Sequence, residues 1–378
     1  MMKRIILISV FPPYRGGIAT HSSILYKHLI DNNDVTVINY SKQYPSILFP
    51  GKNQMDNSRS VIDFPSQMLI NTTSPKTWKQ TAQFIIERNP DLVIFRFWNP
   101  FFGISLGYIA KYLKKSKCSS PLISICDNII PHENFIGAKF LTKFYLNNID
   151  GFLVQSKAVE QELKSLKPDA KVINRFHPIY DIYGEKKNKS LAKESLNIKA
   201  KNVILFFGII REYKGLDVLI ESINLLKANL NDFHVLIVGE CYENINKYRS
   251  LIDKYELSSL ITFINEYVPN EEVSKYFSCS DVVVLPYKTA SQSGVLQIAY
   301  HFDIPVVTTD VGGLSEYIEN NSTGILIESD NPIKLSEILY NNLINNSFQK
   351  LSNNIKEYKK KFSWDYFISG IHELSDSV

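Results

Sequence analysis

The chain has 378 residues and carries 42 Lys and Arg against 38 Asp and Glu, a formal charge of +4. With 44% hydrophobic and 21% charged residues the composition is that of a folded globular protein, which excludes a disordered or fibrous chain, and the small net charge gives no support to a general nucleic-acid binder. By halves the charge separates: residues 1–180 hold 22 basic and 12 acidic side chains (+10), residues 181–378 hold 20 and 26 (−6), so the first half is suited to an anionic partner.

The length predicts two domains, each large enough for its own core. The four cysteines, Cys118, Cys126, Cys241 and Cys279, are never closer than eight residues, which matches neither a zinc knuckle nor a redox pair. They read as reduced, structural thiols of a cytoplasmic protein, with no metal and no cofactor expected. The opening Met1-Met2-Lys3-Arg4 and its apolar run resemble a signal peptide on the surface. The run meets Pro12-Pro13-Tyr14-Arg15-Gly16-Gly17 without a small-residue cleavage site, so the expectation is a buried first strand. The longest membrane-span candidate, from Phe101 to Leu113, is interrupted by Lys111 and falls short of the roughly 20 apolar residues a span needs.

Short apolar runs then recur in chain order: Ile5–Val10, Val35–Ile38, Leu92–Phe97, Leu122–Cys126, Phe152–Val154, Val203–Phe207, Val235–Val238, Val282–Leu285 and Pro305–Thr308. They are rich in Val, Ile and Phe and do not alternate with polar residues, as expected of strands buried on both faces of a parallel sheet. Amphipathic stretches separate them. In Leu216–Lys227, for example, Leu219, Ile223 and Leu226 share one helix face. Strand–helix alternation over the whole length predicts an α/β chain of two Rossmann-like, doubly wound domains facing across a cleft. The apolar rhythm stops between His177-Pro178 and Lys189, which places the boundary there: residues 1–182 form the first domain and 190–362 the second.

Three loops carry candidate chemistry. Gly16-Gly17 follows the first strand and opens a helix, where a ligand can approach the backbone and a helix N-terminus favours an anion; a tight strand-to-helix turn is the alternative. Arg211 and Lys214, in Arg211-Glu212-Tyr213-Lys214-Gly215, stand at a strand's carboxyl end, where open α/β sheets bind ligands, and suit a phosphate; two solvated surface cations are the alternative. Ser291-Gln292-Ser293-Gly294-Val295 is again a small-residue loop at a helix start, and Gly312-Gly313 and Ser322-Thr323-Gly324 could likewise present amides to a diphosphate. No G-x-G-x-x-G and no P-loop motif occurs.

Taken in order, strand-Gly-Gly, Arg-x-x-Lys-Gly-Leu, Ser-Gly-Val, Ile-Pro-Val-Val-x-Thr-Asp-Val-Gly-Gly-Leu and Thr-Gly-Ile-Leu resemble the nucleotide-sugar glycosyltransferases of family 4, retaining enzymes of the GT-B fold. The resemblance spans nearly the whole chain. Phe362-Ser363-Trp364 is similar to the start of the C-terminal helix that crosses back to the first domain, here residues 363–378. It implies a metal-independent hexosyltransferase taking a nucleotide-sugar donor and a glycan or polyprenyl-phosphate-linked acceptor in cell-surface polysaccharide synthesis. It also implies that Arg211, Lys214, Ser293, Gly294 and Val295 hold the donor diphosphate while Gly16 and Gly17 close over it. The family's two glutamates, eight positions apart, fall here on Ala290 or Ser291 and on Ile298, with Gln297 as a polar substitute for the second. These departures leave open a GT-B binding or scaffold protein with a degenerate donor site, and a nucleotide-sugar epimerase of the same fold is a further alternative.

On the acceptor side Asp127, Asn128, His132 and Glu133 form a polar cluster just past the strand Leu122–Cys126. Asp127 stands at the position of the family's histidine and is the candidate to bind or deprotonate a hydroxyl, with His132 beside it; His132 as a loop-packing residue is the alternative. His21, Tyr287, Gln292 and Glu316 are weaker cleft candidates, Glu316 reading equally as a first-turn acid of its own helix. The basic residues Lys111, Lys114, Lys115, Lys117, Lys139, Lys143 and Lys157 read either as a solvated helix face or as attraction to an anionic membrane surface, which would place a cytoplasmic protein at the inner face of the membrane.

Overall fold

The computed structural model describes residues 2–45, 53–56, 58, 65–116, 118–130 and 136–378. Lys117, His132 and Glu133 lie outside the described residues.

The first half runs β1 (Lys3–Ile8), α1 (Gly17–Leu29), β2 (Asn33–Lys42), β3 (Ser66–Asn71), α2 (Pro75–Arg88), β4 (Leu92–Phe97), α3 (Gly103–Lys115), β5 (Leu122–Cys126), α4 (Ala138–Leu146), β6 (Gly151–Val154), α5 (Lys157–Leu166) and β7 (Lys171–Asn174). The second runs α6 (Lys189–Ser195), β8 (Asn202–Phe207), α7 (Leu216–Leu226), β9 (Phe233–Val238), α8 (Asn246–Lys254), β10 (Ile261–Ile264), α9 (Asn270–Ser278), β11 (Val282–Leu285), α10 (Gly294–His301), β12 (Val306–Thr309), β13 (Gly324–Ile327), α11 (Pro332–Ile344), α12 (Ser347–Tyr358) and α13 (Trp364–Ser377).

The strands form two sheets, ordered β3-β2-β1-β4-β5-β6-β7 and β10-β9-β8-β11-β12-β13, and neighbouring strands pair in parallel throughout. This is the doubly wound α/β architecture read from the alternation. Every one of the nine apolar runs is a strand, and β1, β4, β5, β6, β8 and β11 are buried almost end to end. The four strands with no run of their own, β3, β7, β10 and β13, are the four sheet edges. An edge strand has one side open to solvent, so it keeps polar residues such as Ser66, Gln67, Lys171 and Thr262 and loses the continuous apolar signature.

In both sheets the order reverses at the central strand, β1 in the first and β8 in the second. The loops that leave β1 and β8 at this switch are those of Gly16-Gly17 and of Arg211 and Lys214, where ligands of such sheets bind. Helix α13 lies against β6, β7 and α1 of the first sheet although it is last in the chain. Ser363 caps it by accepting from the Tyr366 amide at 3.3 Å. Trp364 fixes its entry: the indole Nε1 donates to Ile179 O at 3.0 Å and the ring stacks on His28 at 5.3 Å.

Candidate active site

A cavity of about 300 Å³ opens between the two sheets. From the first side it is lined by Gly16, Gly17, Thr20, Tyr180 and Tyr183, and from the second by the ends of β8 to β11 and the start of α10. Gly16 sits at φ 114° at the N-cap of α1, a left-handed conformation that favours glycine, and so turns the chain from strand to helix at the cavity wall. Opposite, Ser293 is the N-cap of α10, and Gly294 and Val295 stand in its first turn, where amides have no intrahelical partner. Gly294 packs so closely on Tyr180 that a Cβ there would lie 2.9 Å from the ring. The same tyrosine donates its hydroxyl proton to Gly17 O at 3.1 Å, so one side chain holds the two glycine loops in register.

Arg211 and Lys214 both line the cavity. Arg211 lies over the Tyr242 ring at 5.4 Å. Lys214 is 9% exposed, and among the described residues no carboxylate pairs with it. Its ammonium lies 5.4 Å from the centre of the Tyr287 ring, and burial pushes its pKa below the ordinary lysine value, with Arg211 adding to the same direction. A buried cation with no counter-charge at a helix N-terminus is a site built to be completed by an anion.

Of the other expected donor contacts, Ser293, Gly294 and Val295 line the cavity, and Gln297 does not. Gln297 is 1% exposed, with both amide atoms unpartnered, and one residue of helical rotation puts Ile298 on the cavity wall in its place. The substitute expected there is therefore absent from the wall, which is apolar at that point. The loops of Gly312-Gly313 and Ser322-Thr323-Gly324 also lie off the cavity. Gly313 is packed against Ser291 O and the Ser156 side chain, and Thr323 bonds the Tyr300 hydroxyl at 2.9 Å.

Asp127 is 2% exposed and belongs to a buried network rather than to open cleft. Arg96 grips it with two parallel bonds, Nε to Oδ2 at 2.7 Å and Nη2 to Oδ1 at 2.6 Å. Gln155 Nε2 and, from across the cleft, Gln292 Nε2 donate to Oδ1 at 3.0 and 3.1 Å. Three of these four donors crowd Oδ1, and the buried guanidinium holds the carboxylate in place, an arrangement suited to orienting the loops around it. Arg96 also donates to His21 Nδ1, so that ring is neutral; burial first and the Arg96 charge second hold its pKa well below the usual range. His177 beside it is lowered to about 4 by burial.

Sequence reasoning missed the contacts that join the halves. Arg15, next to Gly16, ion-pairs with Glu240 at the end of β9, donates to the Tyr242 hydroxyl at 3.3 Å and lies over the Tyr267 ring at 4.8 Å. Glu316 stands in the first turn of a short 3-10 helix, Ser315–Tyr317, and also serves a second helix. Its carboxylate accepts from the Lys157 amide at 2.9 Å and the Ala158 amide at 3.4 Å, and so caps α5 of the other half. Tyr317 donates its hydroxyl to Gln155 O. Glu240, Glu266, Tyr267, Val268 and Asn270 complete the cavity wall from loops without glycine-rich signatures. Among the described residues no three His, Cys, Asp or Glu side chains gather into a metal-sized group.

Residues 188–362 match the family described as Glycosyl transferases group 1. An uncharacterized glycosyltransferase of Methanocaldococcus jannaschii is 26% identical over 100% of this chain and 99% of its own length. The amylovoran biosynthesis glycosyltransferase AmsK of Erwinia amylovora is 28% identical over 39% of this chain and 38% of its own. Among solved structures, Anabaena Alr3699/HepE in complex with UDP superposes with a TM-score of 0.77 at 16% identity, over 100% of both chains. The architecture of the chain is thus GT-B, with both sheets and the cleft between them in place.

Proposed function

We propose that the chain is a retaining, metal-independent hexosyltransferase of family 4. It moves a sugar from a nucleotide-sugar donor to a glycan or polyprenyl-phosphate-linked acceptor in cell-surface polysaccharide synthesis. The observation that carries this reading is Lys214, buried at the cavity with no carboxylate partner among the described residues, next to Arg211 and facing the first turn of α10. Departure of a nucleoside diphosphate builds negative charge. Two cations and the free amides of Gly294 and Val295 are organised in advance to receive it. Alr3699/HepE, of the same fold, has been solved with UDP and with UDP-glucose, and AmsK is named for amylovoran biosynthesis; both support a nucleotide-sugar donor and a polysaccharide product here.

In this reading residues 1–182 with 363–378 form the acceptor unit and 190–362 the donor unit, and Gly16 and Gly17 seal the donor when the units meet. Asp127 acts as a positioning residue: through Gln292 it ties the α10 loop to the acceptor unit. Calorimetric titration with UDP and thermal shift against a panel of nucleotide sugars test the donor site, followed by product analysis of wild type, Arg211→Ala and Lys214→Ala. Saturable nucleotide binding and transfer lost in both variants are expected.

One observation favours the scaffold reading: the wall carries Ile298 where the family has a glutamate. A wild type that binds no nucleoside diphosphate and turns over no donor would sink the enzyme reading in its favour. An epimerised nucleotide sugar formed without acceptor would point to the third chemistry.

A further inference from the structure

The start of α10 gives the cavity a direction. A Cβ on Gly208 would lie 3.2 Å from Val295 Cγ2 and 3.3 Å from Lys214 Nζ, so the ammonium and the first turn of the helix meet at one point. That point is the seat for a diphosphate. Ahead of the helix stands Gln292, which lines the cavity and bonds Asp127 of the first half, so the reacting end of a donor lies on that side. On the other side the cavity runs along α10 toward the ends of β9 and β10, to Gly239, Glu266, Val268 and Asn270. A nucleotide anchored at the seat therefore lays its pentose beside the second turn of α10 and its base against the loops after β9 and β10.

The second turn presents Ile298 to the cavity, four residues beyond Gly294 and three beyond Val295, spacings that share one helix face. Ile298 belongs to one apolar cluster with Tyr180, Phe207, Val268 and Val273, and all five stand on the cavity wall. Gln297 buries its amide away from the cavity. Other polar groups of the wall are engaged elsewhere: the Tyr180 hydroxyl donates to Gly17 O, the Tyr183 hydroxyl is bonded to Thr20, and Glu240 is paired with Arg15. Glu266 and Asn270 follow β10, at the end where the base would reach them.

Resting on the donor reading of this cavity, we infer that the donor pentose lies on Ile298 and that the site takes a 2′-deoxynucleoside diphosphate sugar at least as well as its ribose counterpart. A ribose hydroxyl pressed on this patch gives up water without gaining a partner, whereas a 2′-methylene loses nothing there. A wall that hydrogen-bonds the hydroxyl would do the reverse and reject the deoxy ligand strongly. Ile298 then sets the choice of nucleoside, and its presence no longer speaks for a degenerate site.

The test is calorimetric titration of the full chain with UDP and with dUDP, which differ in the 2′-hydroxyl alone. The wild type should bind dUDP at least as tightly as UDP, a comparison that needs no variant. Ile298→Glu and Ile298→Gln place an acceptor on the wall and should turn the ratio of the two Kd values toward UDP, about tenfold for the glutamate. Melting temperatures show that each variant is folded. A wild type that holds UDP tenfold more tightly than dUDP overturns the inference and leaves the donor reading standing. So does a ratio unchanged in both folded variants, since the pentose would then lie elsewhere. A chain that binds neither nucleotide sinks the donor reading and this inference together.

Discussion

Arg15, carried on the loop ahead of α1, is ion-paired with Glu240 at the end of β9, and both are nearly buried. The pair ties the first loop of one sheet to the cavity wall of the other. Breaking a buried pair from one side leaves the other charge unpaired. Arg15→Ala and Glu240→Ala should each weaken nucleotide binding, and a double-mutant cycle on calorimetric affinities should show a coupling of about 2 kcal/mol. Independent effects would mean the pair does not hold the cleft together.

Lys214 should matter to the ligand and not to the fold. Lys214→Met removes a buried ammonium with no carboxylate partner among the described residues, so the melting temperature of the free protein should hold or rise while nucleoside diphosphate affinity falls about 100-fold. The pH dependence follows from the lowered pKa. The unfolded chain binds this proton more tightly, so the cost of burying it is in place at neutral pH and fades as pH climbs toward the ordinary value of 10.5. The stability gap between Lys214→Met and wild type should therefore narrow as pH rises, read by denaturant midpoints.

His177 gives a second window, at acid pH. Its folded pKa of about 4 lies below the ordinary 6.5, so its contribution is fully present above pH 6.5 and is lost as pH falls to about 4. The loss amounts to about 3 kcal/mol from this group. His21, lowered by burial and by Arg96, acts in the same direction. Guanidinium unfolding from pH 7 to 4 should show the decline, and His177→Gln should flatten it.

The Arg96–Asp127 pair should behave as a positioning device. Asp127→Ala leaves a buried guanidinium alone and should cost about 3–5 kcal/mol. Arg96→Met with Asp127→Leu should recover most of that stability and still transfer sugar poorly, because Gln292 loses its anchor. Recovery of both stability and kcat would show that the pair has no part in placing the α10 loop.

The fold was readable wherever burial was complete. Central strands such as β4 and β8 announce themselves as unbroken apolar runs, whereas β3, β7, β10 and β13 were invisible because an edge needs fewer apolar residues. Arg211 and Lys214 were legible because a strand end, two cations and a glycine stand within a few positions. Arg15 and Glu240 were not, being 225 positions apart with no local pattern around either. Asp127 was found for its place at a strand end. Its bonds to Arg96, Gln155 and Gln292 depend on three other segments that only the folded chain brings together.

Glu316 reaches across the cleft to the first amides of α5, and Arg15, Gln292 and Tyr317 make three further crossings through charges, an amide and a hydroxyl. Parting the halves at these four points hands polar groups back to water and bares no oily surface there. Such seams can be opened and shut over many turnovers without turning the parted faces into glue for neighbouring molecules. They will also yield to salt and denaturant well before either core does.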